Sequence, residues 1–122
     1  MIIEQIYSTG EIPGSVPEQA LIIDTSRGLV IITGCAHPGI VEMVRQAKQI
    51  LNKEIYLVMG GFHLGSASYH QVKTIIEDLQ SLGVENVGPC HCTGQRSIYQ
   101  FREAFGDHFI EIGVGKVIDI EL

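Results

Sequence analysis

Positive charge is scarce in this chain. Eight Lys and Arg stand against 14 Asp and Glu, a net charge of −6 over 122 residues, with a pI near 5.2. That balance lacks the basic footprint of a nucleic-acid partner. Long apolar runs are missing too, since none approaches the ~20 residues that span a bilayer. Residues 1–4 carry neither the basic flank nor the apolar stretch of a signal peptide. Cysteine is limited to three, an odd number, and all three fall in candidate ligand positions rather than spread as a disulfide framework. A reduced, cytoplasmic protein is the expectation. Linker and low-complexity stretches are also absent, so residues 1–122 read as one domain.

What is present is one figure, repeated three times. An apolar run through Leu29, Val30, Ile31, Ile32 and Thr33 ends in Gly34, and Cys35, Ala36, His37, Pro38 and Gly39 follow. Ile55 to Met59 runs into Gly60, Gly61, Phe62 and His63, and Val87, Gly88 and Pro89 run into Cys90, His91, Cys92, Thr93 and Gly94. Each repeat reads as a strand, a metal-type ligand at its carboxyl end, and a helix. In a parallel sheet those carboxyl ends share one edge, where α/β proteins place their sites.

The rest of the chain supports an α/β class. Residues 2–8 read as a first strand, and residues 10–17, with Pro13, Gly14 and Pro17, as a loop that no helix enters. Residues 20–24 and 29–33 form a hairpin about an Arg-Gly turn. Ile40, Val41, Val44, Ala47, Ile50 and Leu51 keep helical spacing, and Pro38 suits a first turn. Residues 55–59 are continuously apolar, as in a strand covered on both faces. Val72, Ile75, Ile76, Leu79 and Leu82 make a second helix stopped by Gly83. Residues 84–88 read as a further parallel strand, and Ile98, Phe101 and Phe105 as a third helix stopped by Gly106. Residues 108–112 and 116–120 read as two closing strands in a hairpin. Right-handed crossovers put all three helices on one face of the mixed sheet. Its other face stays apolar, larger than a monomer usually exposes, so a second sheet from another copy or another chain is expected to cover it.

Each edge residue has two readings. Cys35 is a ligand or a small buried hydrophobe. His37 is a ligand or a helix cap, and His63, after two glycines that allow close approach, is a ligand, an acid/base or a structural imidazole. Along an extended backbone Cys90 and Cys92 point one way and His91 the other, so these three need a turn to share one ion. Cys90 and Cys92 as a redox pair is the weaker alternative. The helix start after Thr93 and Gly94 favours an anion such as a phosphate, and Arg96 in its first turn is a further candidate to meet it. Asp24, His70 and His108 read as structural. Zn suits imidazole and thiolate donors, yet no His-x-His or Glu-x-x-His cluster supplies further ligands. The edge looks like half of a site.

The ordered set Pro17-Glu18-Gln19-Ala20-Leu21, Thr33 to Ile40, Gly60-Gly61-Phe62-His63-Leu64 and His91-Cys92-Thr93-Gly94 resembles one branch of the metallo-β-lactamase superfamily. That branch includes dihydropterin-ribofuranosylaminobenzene phosphate synthase, of methanopterin biosynthesis, and metal-dependent hydrolases. The resemblance implies the C-terminal half of an αββα sandwich, because nothing here matches the His-x-His-x-Asp-His motif of the N-terminal half. By the same resemblance His91 is the last metal-ligating His, Cys35 stands where a bridging Asp or a Cys ligand falls, and His37 and His63 lie near metal or substrate. The implied function is a metal-dependent hydrolase or transferase completed by a separately encoded N-terminal half. On that reading Cys35, His91, His37 and Cys92 hold Zn or another divalent ion, and His63 and His37 are catalytic. Thr93, Gly94 and Arg96 then receive a small anionic substrate. A homodimeric binding module without turnover, and an inactive remnant of a split gene, are the alternatives.

Overall fold

Two residues, Ser26 and Arg27, reverse the chain between β2 (Leu21–Thr25) and β3 (Gly28–Thr33), which pair antiparallel from Thr25↔Gly28 to Leu21↔Ile32. The Thr25 hydroxyl donates to the Gly28 carbonyl and accepts from the Arg27 N–H, which pins the turn. β1 (Ile6–Ser8) adds antiparallel to β2. The computed structural model describes residues 4–122, so positions 2 and 3 of the first expected strand lie outside the described residues. β4 (Ile55–Gly61) and β5 (Asn86–Cys90) add parallel to β3, and the mixed sheet runs in the order β1-β2-β3-β4-β5.

Three helices connect or follow the parallel strands: α1 (Ile40–Leu51), α2 (Tyr69–Ser81) and α3 (Gln95–Phe105). The strand order never reverses, so right-handed crossovers set them side by side on one face, with α2 touching both α1 and α3. Their apolar stripes close over Ile22, Leu29, Ile31, Val58 and Val87 in one core that includes Met43, Val44, Leu79, Phe62 and Phe101. Phe62 and Phe101 meet edge to face at 5.4 Å. The α/β class and the mixed sheet with three helices are as the sequence indicated.

Four local readings change. Pro38 precedes the cap residue Gly39 rather than sitting in the first turn, because a turn from Ala36 to Gly39 intervenes. The last strand begins at Asn86, not at residue 84: the Val84 N–H still bonds the Leu79 carbonyl and so finishes α2. Pro89 is tolerated in β5 because this strand pairs with one named neighbour alone.

The third change concerns residues 108–112 and 116–120, which form no hairpin. Residues 106–108 make a 3-10 turn, and Phe109 bridges Val87 in parallel. Ile112 then packs against Met59 and Gly88, where a glycine leaves a notch. The chain end reaches the turn between β2 and β3, where the Ser26 N–H and hydroxyl donate to the Glu121 carbonyl.

The fourth follows from this. The face away from the helices holds Leu21, Ile23, Val30, Ile32, Leu57 and Met59, the register partners that alternate with the core set. Val30 and Leu57 are fully buried there, while the other four stay half-buried. The expected naked face is therefore partly covered by the chain's own C-terminal segment.

Candidate metal and acid–base site

The carboxyl ends of β3, β4 and β5 leave the sheet through one device. Ala36, His63 and His91 each adopt positive φ, at 59°, 52° and 54°. A non-glycine residue held there costs about 1–3 kcal/mol and persists where the surroundings over-determine it. The consequence at β3 is that Cys35 and His37, flanking Ala36, enter different groups. At β5 the reversal at His91 begins a 3-10 turn, His91–Thr93. That is the turn an extended Cys-His-Cys needs if neighbouring side chains are to converge.

The first group is built from sulfur. One donor atom each from Cys35, His91 and Cys92 lies within 4.8 Å of the others, the one such set of three among the described residues. The Cys35 Sγ stands 3.6 Å from His91 Nδ1, and the Cys92 thiol donates to the Cys35 carbonyl at 3.5 Å. Gly61 makes this approach possible. A Cβ there would lie 2.7 Å from the Cys92 Sγ, 3.2 Å from the Cys35 Cα, and in collision with the Gly34 carbonyl. The hydrogen bond with Cys92, reinforced by burial and by nearby negative charge, pushes the Cys35 thiol above its ordinary range. Two thiols and an imidazole around one point fit Zn, whose bound state demands deprotonated sulfur. Cys90 stands outside the set, and burial pushes its thiol up as well.

The second group is built from imidazole. The rings of His37 and His63 lie 4.4 Å apart, tilted at 49°. His37 Nδ1 meets a Glu18 carboxylate oxygen in a very short contact. The same carboxylate accepts from the backbone N–H groups of Cys35, Ala36 and His37, at 3.3, 3.3 and 2.6 Å. Burial alone would raise the Glu18 pKa, but the hydrogen bonds from the His37 backbone, the His37 ring and Cys35 outweigh it and hold the carboxyl below its ordinary range.

The other candidates fall elsewhere. Thr93 is fully buried; its hydroxyl donates to the Cys90 carbonyl and accepts from the Phe62 N–H, tying the 3-10 turn to the end of β4. Gly65 lies against Gly94, so the loop after His63 covers the start of α3. Arg96 is exposed in a groove between α2 and α3, beside Tyr69 and Glu103. Asp24 pairs with Lys53 at 2.5 Å, and His108 bonds the Asn86 amide oxygen at 3.1 Å. His70 is exposed in the first turn of α2, in a shallow cavity shared with His63.

Glu18 belongs to the site although reading by ligand type passed over it. Two signals pointed to it: its place in the Pro17-Glu18-Gln19-Ala20-Leu21 motif that carries the resemblance, and its position as an acidic residue at the end of a Pro- and Gly-rich loop, just before the strand that pairs with β3.

No family model matches the chain. It is 42% identical over 103 residues to 7,8-dihydropterin-6-methyl-4-(beta-D-ribofuranosyl)-aminobenzene-5'-phosphate synthase of Methanocaldococcus jannaschii, covering 83% of this chain and 35% of that protein. An uncharacterized protein of the same archaeon is 34% identical over 91 residues, 75% of this chain and 34% of that one. The crystal structure of a metal-dependent hydrolase of the beta-lactamase superfamily superposes with a TM-score of 0.81 at 37% identity, over 86% of this chain and 41% of the other. These matches support the metallo-β-lactamase superfamily. The chain spans about a third of the length of the curated relatives it matches. Among the described residues, no helix is long and apolar enough to cross a membrane.

Proposed function

We propose that this chain supplies one part of the active site of a metal-dependent hydrolase or transferase. Cys35, His91 and Cys92 are the donors of a divalent ion, and His37 and His63 are the acid/base pair beside it. The convergence of those three donor atoms within 4.8 Å carries the reading. When bound, the ion supplies Lewis acidity and lowers the pKa of a water. His63, exposed and against His37, takes or returns the proton of the reacting group. The name of the synthase relative supports a phosphorylated or pterin-like substrate.

Three protein donors leave room for more. The remaining ligands, on this proposal, come from an N-terminal half seated on the apolar, half-covered sheet face. A homodimer that binds metal without turnover is the second reading, favoured by that same face.

Co(II) titration tests the donor set. Absorption of a cobalt–thiolate complex is expected, weakened by Cys35→Ser and Cys92→Ser and kept in His37→Ala. Its absence at saturating Co(II), alone and with the matching N-terminal half, overturns the metal reading. Native mass spectrometry of the same samples separates a metal-loaded homodimer from a complex of unlike halves.

A further inference from the structure

The loop before β2 is anchored at both ends of its path. Ile12 is 1% exposed, and its backbone exchanges hydrogen bonds with Glu18 at 2.7 and 3.2 Å. Between them Gly14 seats its backbone on Pro38 so closely that a Cβ would lie 2.6 Å from the Pro38 Cα. The loop is thus clamped to the very turn that carries His37, and Glu18 leaves it at a fixed point. Its carboxylate fills the concavity made by three successive N–H groups, from Cys35, Ala36 and His37, which the positive φ of Ala36 turns toward one centre.

We infer that Glu18 is a positioning residue, whose carboxylate holds the His37 turn by its backbone and fixes the neutral ring with the proton on Nδ1. A carboxylate accepts and does not donate, so a neutral His37 bonded to it through Nδ1 must carry its proton there. Nε2 is then the nitrogen with the lone pair, available to a substrate proton, and the His63 ring stands beside this imidazole with the two centroids 4.4 Å apart. Every oxygen of Glu18 is occupied by this task, which leaves it without a role as a base of its own. The inference deepens the proposed acid/base role of His37 and rests on it for its chemical meaning, but its test needs neither metal nor substrate.

Long-range proton–nitrogen NMR of the full chain with 15N-labelled histidine, metal-free and at a pH where imidazoles are neutral, reads the tautomers directly. His37 is expected in the Nδ1–H form. Glu18→Ala is expected to shift its tautomer ratio toward Nε2–H by about tenfold or more, given the strength of a charge-assisted bond, with His70 and His108 unchanged. Glu18→Gln, which retains one acceptor oxygen, is expected to restore part of the Nδ1–H population. A wild-type His37 protonated on Nε2 overturns the inference, and so does an unaltered ratio in a folded Glu18→Ala chain. Should Glu18→Ala fail to fold, the wild-type spectrum and Glu18→Gln still decide it. Loss of the cobalt–thiolate absorption with the tautomer intact would count against the metal reading alone.

Discussion

The sulfur group and the imidazole group meet at Ala36, yet they are organised on different terms. In the imidazole group a carboxylate from a clamped loop satisfies the ring and the backbone together. In the sulfur group the side chains have little but each other: His91 is exposed, and Cys35 and Cys92 share weak sulfur contacts. One is preorganised by the chain and the other is left for a bound ion to order. The difference teaches that ligand-type residues on one edge need not form one site. Sorting them requires knowing which already have a partner.

The widest gap between the two groups should come from removing sulfur. Cys35→Ser is expected to lower Zn(II) affinity by more than about 100-fold, beyond what loss of an outer partner usually costs, while the His37–His63 contact survives in NOE spectra. Equal loss of metal in His37→Ala would merge the two groups into one. Next comes Thr93→Val, which leaves the Phe62 N–H and the Cys90 carbonyl without their buried partner. A loss of about 2–3 kcal/mol is expected in urea unfolding. Gly61→Ala follows at about 1–3 kcal/mol; it should disturb the cobalt–thiolate spectrum and leave the His37 tautomer unchanged. Ser68→Ala, at the capping box of α2 where Ser68 and Gln71 bond reciprocally, should cost about 1 kcal/mol and touch neither group.

The gentlest probe is pH. Glu18 is held below its unfolded value near 4.5. Its contribution to stability is therefore complete above that value and is lost as pH falls through the folded pKa. Glu18→Gln should flatten the acid limb of the stability curve. Cys35 moves the other way, so metal affinity should keep rising with pH into the range of its raised thiol.

Much of this was legible in the sequence because it depends on periodicity. The apolar runs of β2 to β4 and the helical stripe of Val72, Ile76 and Leu79 follow from patterning that burial enforces. So does the common edge, which is a consequence of parallel order. The division of that edge was not legible, because it hangs on single backbone angles at Ala36 and His91 that no spacing announces. Residues 108–120 misled for a related reason. Alternating apolar residues resemble strands, but Gly88 offers a notch on the sheet that Ile112 fills, and packing prevails over pairing. Thr93 resembled an anion contact beside a helix start, while its hydroxyl is spent inside.

The distances along the chain carry one more consequence. Glu18 and His37 are 19 positions apart, whereas Cys35 and His91 are separated by 56. Closing the longer loop costs about 1 kcal/mol more in chain entropy. The carboxylate–imidazole contact is thus within reach of a hairpin and one turn, while the sulfurs converge only after the last parallel strand has docked. An ion held by Cys35, His91 and Cys92 would recognise the finished sheet alone, and by mass action would favour it over every partly assembled form.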